Sequence, residues 1–251
     1  MAKVIVLGSS YAIADDTHEN THLALVGQNG LVMIDCAGQP VLRLKRAGLA
    51  FERVGDLILT HFHPDHVYGA PLFIMDMWLR GRRRPLRIHG LRHCVERTEA
   101  LMNAYEWRQW PDLYPVSFHA VEPVEDTLLL DNEDFRITAW PVVHFLPTIG
   151  LRVLDKETGR VVAYSCDTEP GPHVERLAAG ADVLIHEATG AGPGHTSAAQ
   201  AGQLARAAAA KRLVLIHYPT GGADLSHLAP QAQATFGGPV ALAEDFMVVD
   251  L

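Results

Sequence analysis

The stretch Thr60-His61-Phe62-His63-Pro64-Asp65-His66 follows directly on the apolar run Asp56-Leu57-Ile58-Leu59. Imidazole and carboxylate are ligands for zinc and its neighbours, so three histidines and an aspartate packed this densely read as a metal site rather than a solvated polar loop. Residues two apart on an extended segment project to the same side. His61 and His63 can therefore grip one ion, while Asp65 and His66 face a second.

On either side of this motif short strands alternate with helices. Val4 to Leu7, Leu23 to Val26 and Leu31 to Asp35 read as consecutive strands separated by Gly and Asn turn residues. Val41 to Ala47 has a helical pattern, Leu57 to Thr60 is a buried strand ending at the histidines, and a helical period resumes from His66 to Leu79. The motif thus belongs on a strand-to-helix loop. Further strands are expected at Leu86 to His89, Thr127 to Leu130, Phe135 to Trp140, Ile149 to Leu154 and Val161 to Tyr164. Val183 to Ile185, a helix from Ser197 to Ala210, Leu213 to Ile216 and Phe246 to Val249 complete the pattern. Strand runs in both halves with helices between them predict two sheets packed face to face and covered by helices.

The 251 residues are expected to form one domain, and an apolar content of 48% can fill a sizeable core. A net charge of -8, with a pI near 5.9, argues against a broad nucleic-acid or anionic-membrane surface, which needs excess Lys and Arg. The local exception, Arg80-Gly81-Arg82-Arg83-Arg84, reads first as a solvated helix end and second as a phosphate contact. Cys36, Cys94 and Cys166 are widely spaced and form no CxxC pair, which fits a reducing, cytoplasmic setting. The opening apolar run is too short for a signal-peptide core or a membrane span, and no later run reaches spanning length. Between Ala104 and Pro123, the aromatics Tyr105, Trp107, Trp110, Tyr114 and Phe118 stand among Pro111 and Pro115. Such a stretch suits core, a substrate-pocket wall or a dimer contact.

Three more candidates fall just past strand ends: His144 after Trp140-Pro141-Val142-Val143, Asp167 after Val161 to Cys166, and His217 after Leu213 to Ile216. Alone, each reads as a core or loop residue; together they supply the three groups that a pair of ions held by the first motif still requires. With these residues in place the chain resembles the metallo-β-lactamase fold family, an α/β class with a four-layer αββα sandwich and a dinuclear metal site at one edge of the sheets. Asp35-Cys36-Ala37-Gly38, His186-Glu187-Ala188-Thr189, Gly194-His195-Thr196-Ser197 and Ile216-His217-Tyr218 resemble the ribonuclease Z and small phosphodiesterase branch. The likeness runs over essentially the whole of residues 1–251.

The resemblance implies that His61, His63 and His144 hold one divalent ion and that Asp65, His66 and His217 hold the other, with Asp167 as the bridge. Zinc is the first expectation and manganese the second, because N/O ligand sets accept both. It also implies cleavage of a phosphodiester bond by a hydroxide bridging the ions, available near neutral pH because the ions lower the pKa of a shared water. Asp65 would orient or deprotonate that nucleophile. His195 would contact phosphate or protonate the leaving oxygen without binding metal, and Glu187 would orient it. Cys166 stands where the family often has glycine and reads as a small buried filler.

The resembling transfer-RNA-processing ribonucleases carry an RNA-gripping arm between the positions matching His144 and Asp167. Here that interval, Phe145 to Cys166, is short and is filled by two strands around a Lys156-Glu157-Thr158-Gly159 turn. A small phosphodiester is therefore expected, such as a cyclic nucleotide or a ribose cyclic phosphate, in preference to long RNA, with no membrane partner and a homodimer as the assembly. A carbonyl-ester hydrolase, either a lactonase or a glyoxalase II-like thioesterase, is the main alternative on the same scaffold. A tRNA 3′-processing endoribonuclease and a non-catalytic metal-binding protein rank below it.

Overall fold

Residues 2–251 are described by a computed structural model. Two seven-stranded sheets form its middle layers. The first contains β1 (Lys3–Gly8), β2 (His22–Val26), β3 (Leu31–Ile34), β4 (Val54–Leu59), β5 (Leu86–Leu91) and β6 (Val116–Val121). The second contains β7 (Thr127–Asp131), β8 (Phe135–Val142), β9 (Thr148–Asp155), β10 (Val161–Tyr164), β11 (Val183–Glu187), β12 (Leu213–Ile216) and β13 (Val240–Leu242). The last strand, β14 (Val248–Asp250), returns to pair antiparallel with β1. Neighbours run β14-β1-β2-β3-β4-β5-β6 in one sheet and β13-β12-β11-β10-β9-β8-β7 in the other.

Period-two alternation sends each strand's side chains into two different cores. In β1, Val4 and Val6 enter the core between the sheets, while Ile5 and Leu7 face the outer helices. In β12, Val214 and Ile216 point between the sheets, and Leu213 and Leu215 point outward. Burial on both faces explains why these strands read as unbroken apolar runs. Helices α1 (Pro40–Arg46), α2 (Pro64–Val67), α3 (Ala70–Leu79) and α4 (Arg92–Ala104) accompany the first sheet; α5 (Pro172–Ala178), α6 (Ala198–Ala207) and α7 (Leu228–Phe236) cover the second. Each fully buried anchor such as Phe73 or Leu44 contributes about 1.5–3 kcal/mol.

The helix expected from His66 to Leu79 is broken in two. Gly69 donates its N–H to the Cys36 carbonyl at 2.8 Å, and a Cβ at that position would lie within 2.8 Å of the same oxygen. The chain must pass this close to the loop after β3, so α2 ends and α3 begins there. Ser197 caps α6 with a reciprocal capping box to Gln200, which sets its start as expected. Strands β6 and β13 and helices α4, α5 and α7 were not anticipated. Only Cys94, Val95, Thr98 and Met102 of α4 are buried, a stripe at helical spacing but narrow and only weakly apolar in a mostly polar helix.

One further expectation is revised, and another is divided among its residues. Arg82 is not a solvated helix end: it is 6% exposed, and its guanidinium donates to the carbonyls of Val54, Arg84 and Pro85 and lies 5.2 Å from the Tyr114 ring centroid. In the same cluster Arg80 pairs with Asp76, and Arg83 donates to the Asp112 carbonyl. This cluster sits at the amino end of β4 and β5, away from the histidine motif. In the aromatic stretch, Trp107 and Tyr114 are core and Trp110 stacks on Trp78 at 4.8 Å. Tyr105 is 55% exposed and, with Tyr68, Pro71, Leu72, Met75 and Trp110, lines a cavity of about 380 Å³.

Candidate metal centre

The carboxyl ends of strands from both sheets meet at one edge of the sandwich. From the first sheet, β4 delivers Thr60 to His66. From the second, β8 is followed by His144, β10 by Asp167 and β12 by His217, while β11 ends at Glu187. Parallel pairing of β10, β11 and β12 brings three of these ends to one level. His217 (φ 51°), Cys166 (φ 53°) and Asp35 (φ 59°) all hold left-handed backbone, a conformation that costs a non-glycine residue about 1–2 kcal/mol and that turns the chain sharply at the strand end.

The side chains converge on one atom. Asp167 Oδ2 lies 3.9 Å from His61 Nε2, 3.9 Å from His144 Nε2, 3.6 Å from His66 Nε2 and 3.5 Å from His217 Nε2. On one side of it, His63 Nδ1 faces His61 Nε2 at 3.0 Å and His144 Nε2 at 3.1 Å. Ligands about 2.0–2.1 Å from a tetrahedral zinc stand only slightly farther apart than this. On the other side, Asp65 Oδ2 is 3.5 Å from both His66 Nε2 and His217 Nε2. The structure thus gathers all seven expected ligands, three on each side of Asp167.

The far nitrogens of His61, His66, His144 and His217 are occupied. Asp35 accepts from His66 Nδ1 at 2.8 Å, the Gly194 carbonyl from His144 Nδ1 at 2.7 Å, and the Thr189 hydroxyl from His217 Nδ1 at 2.9 Å. Thr60 donates its hydroxyl to Asp35, so its oxygen is free to accept from His61 Nδ1 at 3.1 Å. Each such bond fixes a tautomer that leaves the Nε2 lone pair aimed at the centre. Asp35, Thr60, Thr189 and the Gly194 carbonyl had no assigned role in the sequence. Asp35 had a signal, since it heads the Asp35-Cys36-Ala37-Gly38 match; Thr189 closes the segment containing Glu187.

Protonation states suit ligation at His61, His63, His144 and Asp167, and His66 must give up a proton to join them. Burial, reinforced by the charge of His66, holds His61 well below the usual histidine range, and burial lowers His63 and His144. Burial opposes ionisation of Asp167, but His217, His66 and His61 outweigh it and keep the carboxyl well below its ordinary pKa. Burial also opposes charge on His66, and Asp167 with Asp35 overrides it, raising His66 well above its ordinary value. The proton that these carboxylates hold on His66 is the positive charge a divalent ion would replace on binding. His66 Nε2, His217 Nε2 and Asp167 Oδ1 are buried without any hydrogen-bond partner, an expense that ion binding removes. The donor set and its orphaned atoms fit a pair of divalent ions.

His195 stands beside this centre. Its Nδ1 bonds Glu187 Oε1 at 3.0 Å, and Glu187 is fully buried, accepting also from the backbone N–H of Thr168 and Thr189. Burial disfavours the imidazolium, but the bond and charge of Glu187, then Asp167 and Asp65, raise its pKa above the ordinary value. A ring nitrogen of His195 also comes within ligand distance of Asp167 and His217. Cys36, Cys94 and Cys166 are free and buried, and no helix among the described residues is long and apolar enough to cross a membrane.

Residues 32–218 match the β-lactamase superfamily domain. The chain is 28% identical to ribonuclease Z of Methanothermobacter thermautotrophicus, covering 100% of this chain and 97% of that protein. It superposes on the human short form of tRNase Z with a TM-score of 0.80 at 26% identity, covering 100% of this chain and 98% of the other. The fold is shared with the Bacillus subtilis metallo-β-lactamase fold protein YhfI, at a TM-score of 0.82 and 22% identity over 98% of both chains. The two-sheet sandwich, the His/Asp cluster at its edge and these matches together place the chain in the β-lactamase superfamily, as a hydrolase of its ribonuclease Z-like branch.

Proposed function

We propose that this protein is a dinuclear-metal phosphodiesterase acting on a small phosphodiester, such as a cyclic nucleotide or a ribose cyclic phosphate. The observation that carries the reading is a single carboxylate oxygen, Asp167 Oδ2, set among four imidazole nitrogens, with a carboxylate-held histidine alongside. His61, His63 and His144 would hold one ion, and Asp65, His66 and His217 the other, with Asp167 bridging. Zinc is the first choice and manganese the second. When bound, such a pair activates water near neutral pH and neutralises phosphate oxygens.

The chain's own groups supply the rest. Asp65 presents Oδ2 toward His66 and His217, which leaves its other oxygen to orient the attacking water and take its proton. His195, kept charged by Glu187, gives a proton to the alkoxide as the P–O bond breaks. The water oxygen ends on phosphorus and the alcohol leaves neutral. The small-substrate reading rests on the segment Phe145 to Cys166, which is only the hairpin β9–β10. The match to the Methanothermobacter protein runs over 307 positions, so that relative carries segments this chain lacks. A charge of -8 weighs further against long RNA.

The test is steady-state hydrolysis of an activated phosphodiester beside a lactone and a thioester, using metal-replete protein with Asp65→Ala as the contamination control. Selective, Asp65-dependent cleavage of the phosphodiester is expected. Turnover of the lactone or thioester with silence on the phosphodiester overturns the reading in favour of a carbonyl-ester hydrolase.

A further inference from the structure

Phe145 is the most exposed of the large apolar side chains beside the metal centre, at 64%. A single exposed phenyl ring is ordinary on a protein surface, and exposure alone says nothing. Its seating is what sets it apart. The ring centroid lies 4.9 Å from that of His144 and 5.9 Å from that of His195, so it borders both a ligand and the proton donor of the proposed reaction. The edge atoms Cε2 and Cζ rest on Gly194: a Cβ there would come within 2.8 and 2.9 Å of them. Gly194 also holds left-handed backbone (φ 74°) and accepts from His144 Nδ1, while its N–H donates to Glu169 at 2.8 Å. One side of the ring is thus fixed against a pinned loop, and the remainder is open at the mouth of the site.

We propose that Phe145 is a stacking platform for the base of a nucleoside phosphodiester, so that the substrate is a nucleotide rather than a base-free sugar phosphate. The proposal rests on the phosphodiesterase reading above. Because His195 faces the leaving oxygen, the sugar bearing that oxygen is the one whose planar group comes against Phe145. A phenyl ring stacks on any base, so the selection is for a base over none, not for one base over another.

The experiment compares adenosine 2′,3′-cyclic phosphate with the 2′,3′-cyclic phosphate of methyl riboside, which has no base, on metal-replete protein. Wild type is expected to prefer the nucleotide. Phe145→Ala should lower that preference by about fivefold to a hundredfold, through KM rather than kcat, and Phe145→Trp should retain it. Equal losses on both esters would overturn the proposal, since a ring that merely props His144 and the Gly194 loop affects both alike. So would an Ala variant with an unchanged preference. Calorimetric binding of adenosine monophosphate and of ribose phosphate to the same proteins keeps this inference separate from the reaction itself. If neither ester is cleaved but Phe145-dependent preference for adenosine monophosphate persists, the reaction assignment falls and the platform stands. Equal binding of the two by wild type overturns the platform.

Discussion

The two ends of β4 and β5 both concentrate charged and titratable side chains, yet they do opposite things with them. At the amino end, Asp56 accepts two bonds from Arg87 at 2.7 and 2.8 Å and one from His89 at 2.8 Å, while Arg82 is spent on backbone carbonyls. At the carboxyl end, four imidazole nitrogens surround Asp167 Oδ2, and three buried atoms have no partner at all. Both ends set a buried Asp against His, so the presence of that pair does not by itself separate them. Satisfaction does: a cluster that closes on itself is structural, and one that leaves lone pairs aimed at a common point is built for an ion.

The largest effect should come from the unsatisfied end. Asp167→Ala removes the one oxygen common to both halves, so bound metal measured by mass spectrometry and phosphodiester turnover should both fall below detection. Wild type should lose thermal stability on chelation, by about 4 kcal/mol if the metal had been present at a thousandfold over its Kd. Full metal content in Asp167→Ala would break the contrast between the two ends.

His195→Ala should reduce turnover by about 10²- to 10⁴-fold, the range for losing a general acid, while leaving metal content intact. Since His195 lies within ligand distance of Asp167 and His217, metal loss in this variant would make it a ligand and remove its assigned role. The pH profile sharpens the same point. The pKa of His195 is raised, so its charged form persists below that value and is lost as pH rises through it. Activity should therefore fall on the alkaline side, and Glu187→Gln should move that limb to lower pH.

Much of this centre was legible in the chain because the ligands follow apolar strand runs, and strand ends at one sheet edge are where loops can converge. His61, His63, Asp65 and His66 declare themselves by density alone, whereas His144, Asp167 and His217 became readable only as a set. The partners behind them were not legible. Thr60 and Thr189 are ordinary hydroxyls until the fold brings Asp35 and His217 against them. The missed elements have a similar cause. In α4 the buried stripe of Cys94, Val95, Thr98 and Met102 is too narrow and weakly apolar to stand out among its polar neighbours, and β6 is an edge strand that leaves Ser117 and His119 exposed. Arg82 was misread because a buried guanidinium satisfied by carbonyls looks the same in sequence as a solvated one.

Asp35→Asn tests the layer behind the ligands. The carboxylate accepts from His66 Nδ1 and from both the N–H and hydroxyl of Thr60, so halving its acceptor capacity should weaken metal affinity by about 10–100-fold. At the satisfied end, Arg82→Leu strips the donor from the carbonyls of Val54 and Pro85 and should cost about 2–5 kcal/mol in a urea titration. Metal content of the folded fraction should not change, because the cluster lies at the other end of the strands.

The smallest effect is expected at Cys166, which sits between the two behaviours. Its thiol is buried, 3.0 Å from Thr60 Oγ1 and within reach of His61 and His66, yet it meets His61 at Nδ1, 3.5 Å away, and not at the Nε2 that faces Asp167. Its backbone is left-handed (φ 53°), which accounts for glycine being common at this position in the resembling family. Cys166→Gly relieves about 1–2 kcal/mol of conformational cost but opens a small void and gives up the thiol's contacts. These terms oppose each other, so the urea midpoint should move by less than about 1 kcal/mol in either direction. Thr60 keeps Asp35 as its acceptor and His61 as its donor, so metal content should hold. Metal loss would mean that the thiol belongs to the set orienting His61, and the boundary between filler and site would move inward by one residue.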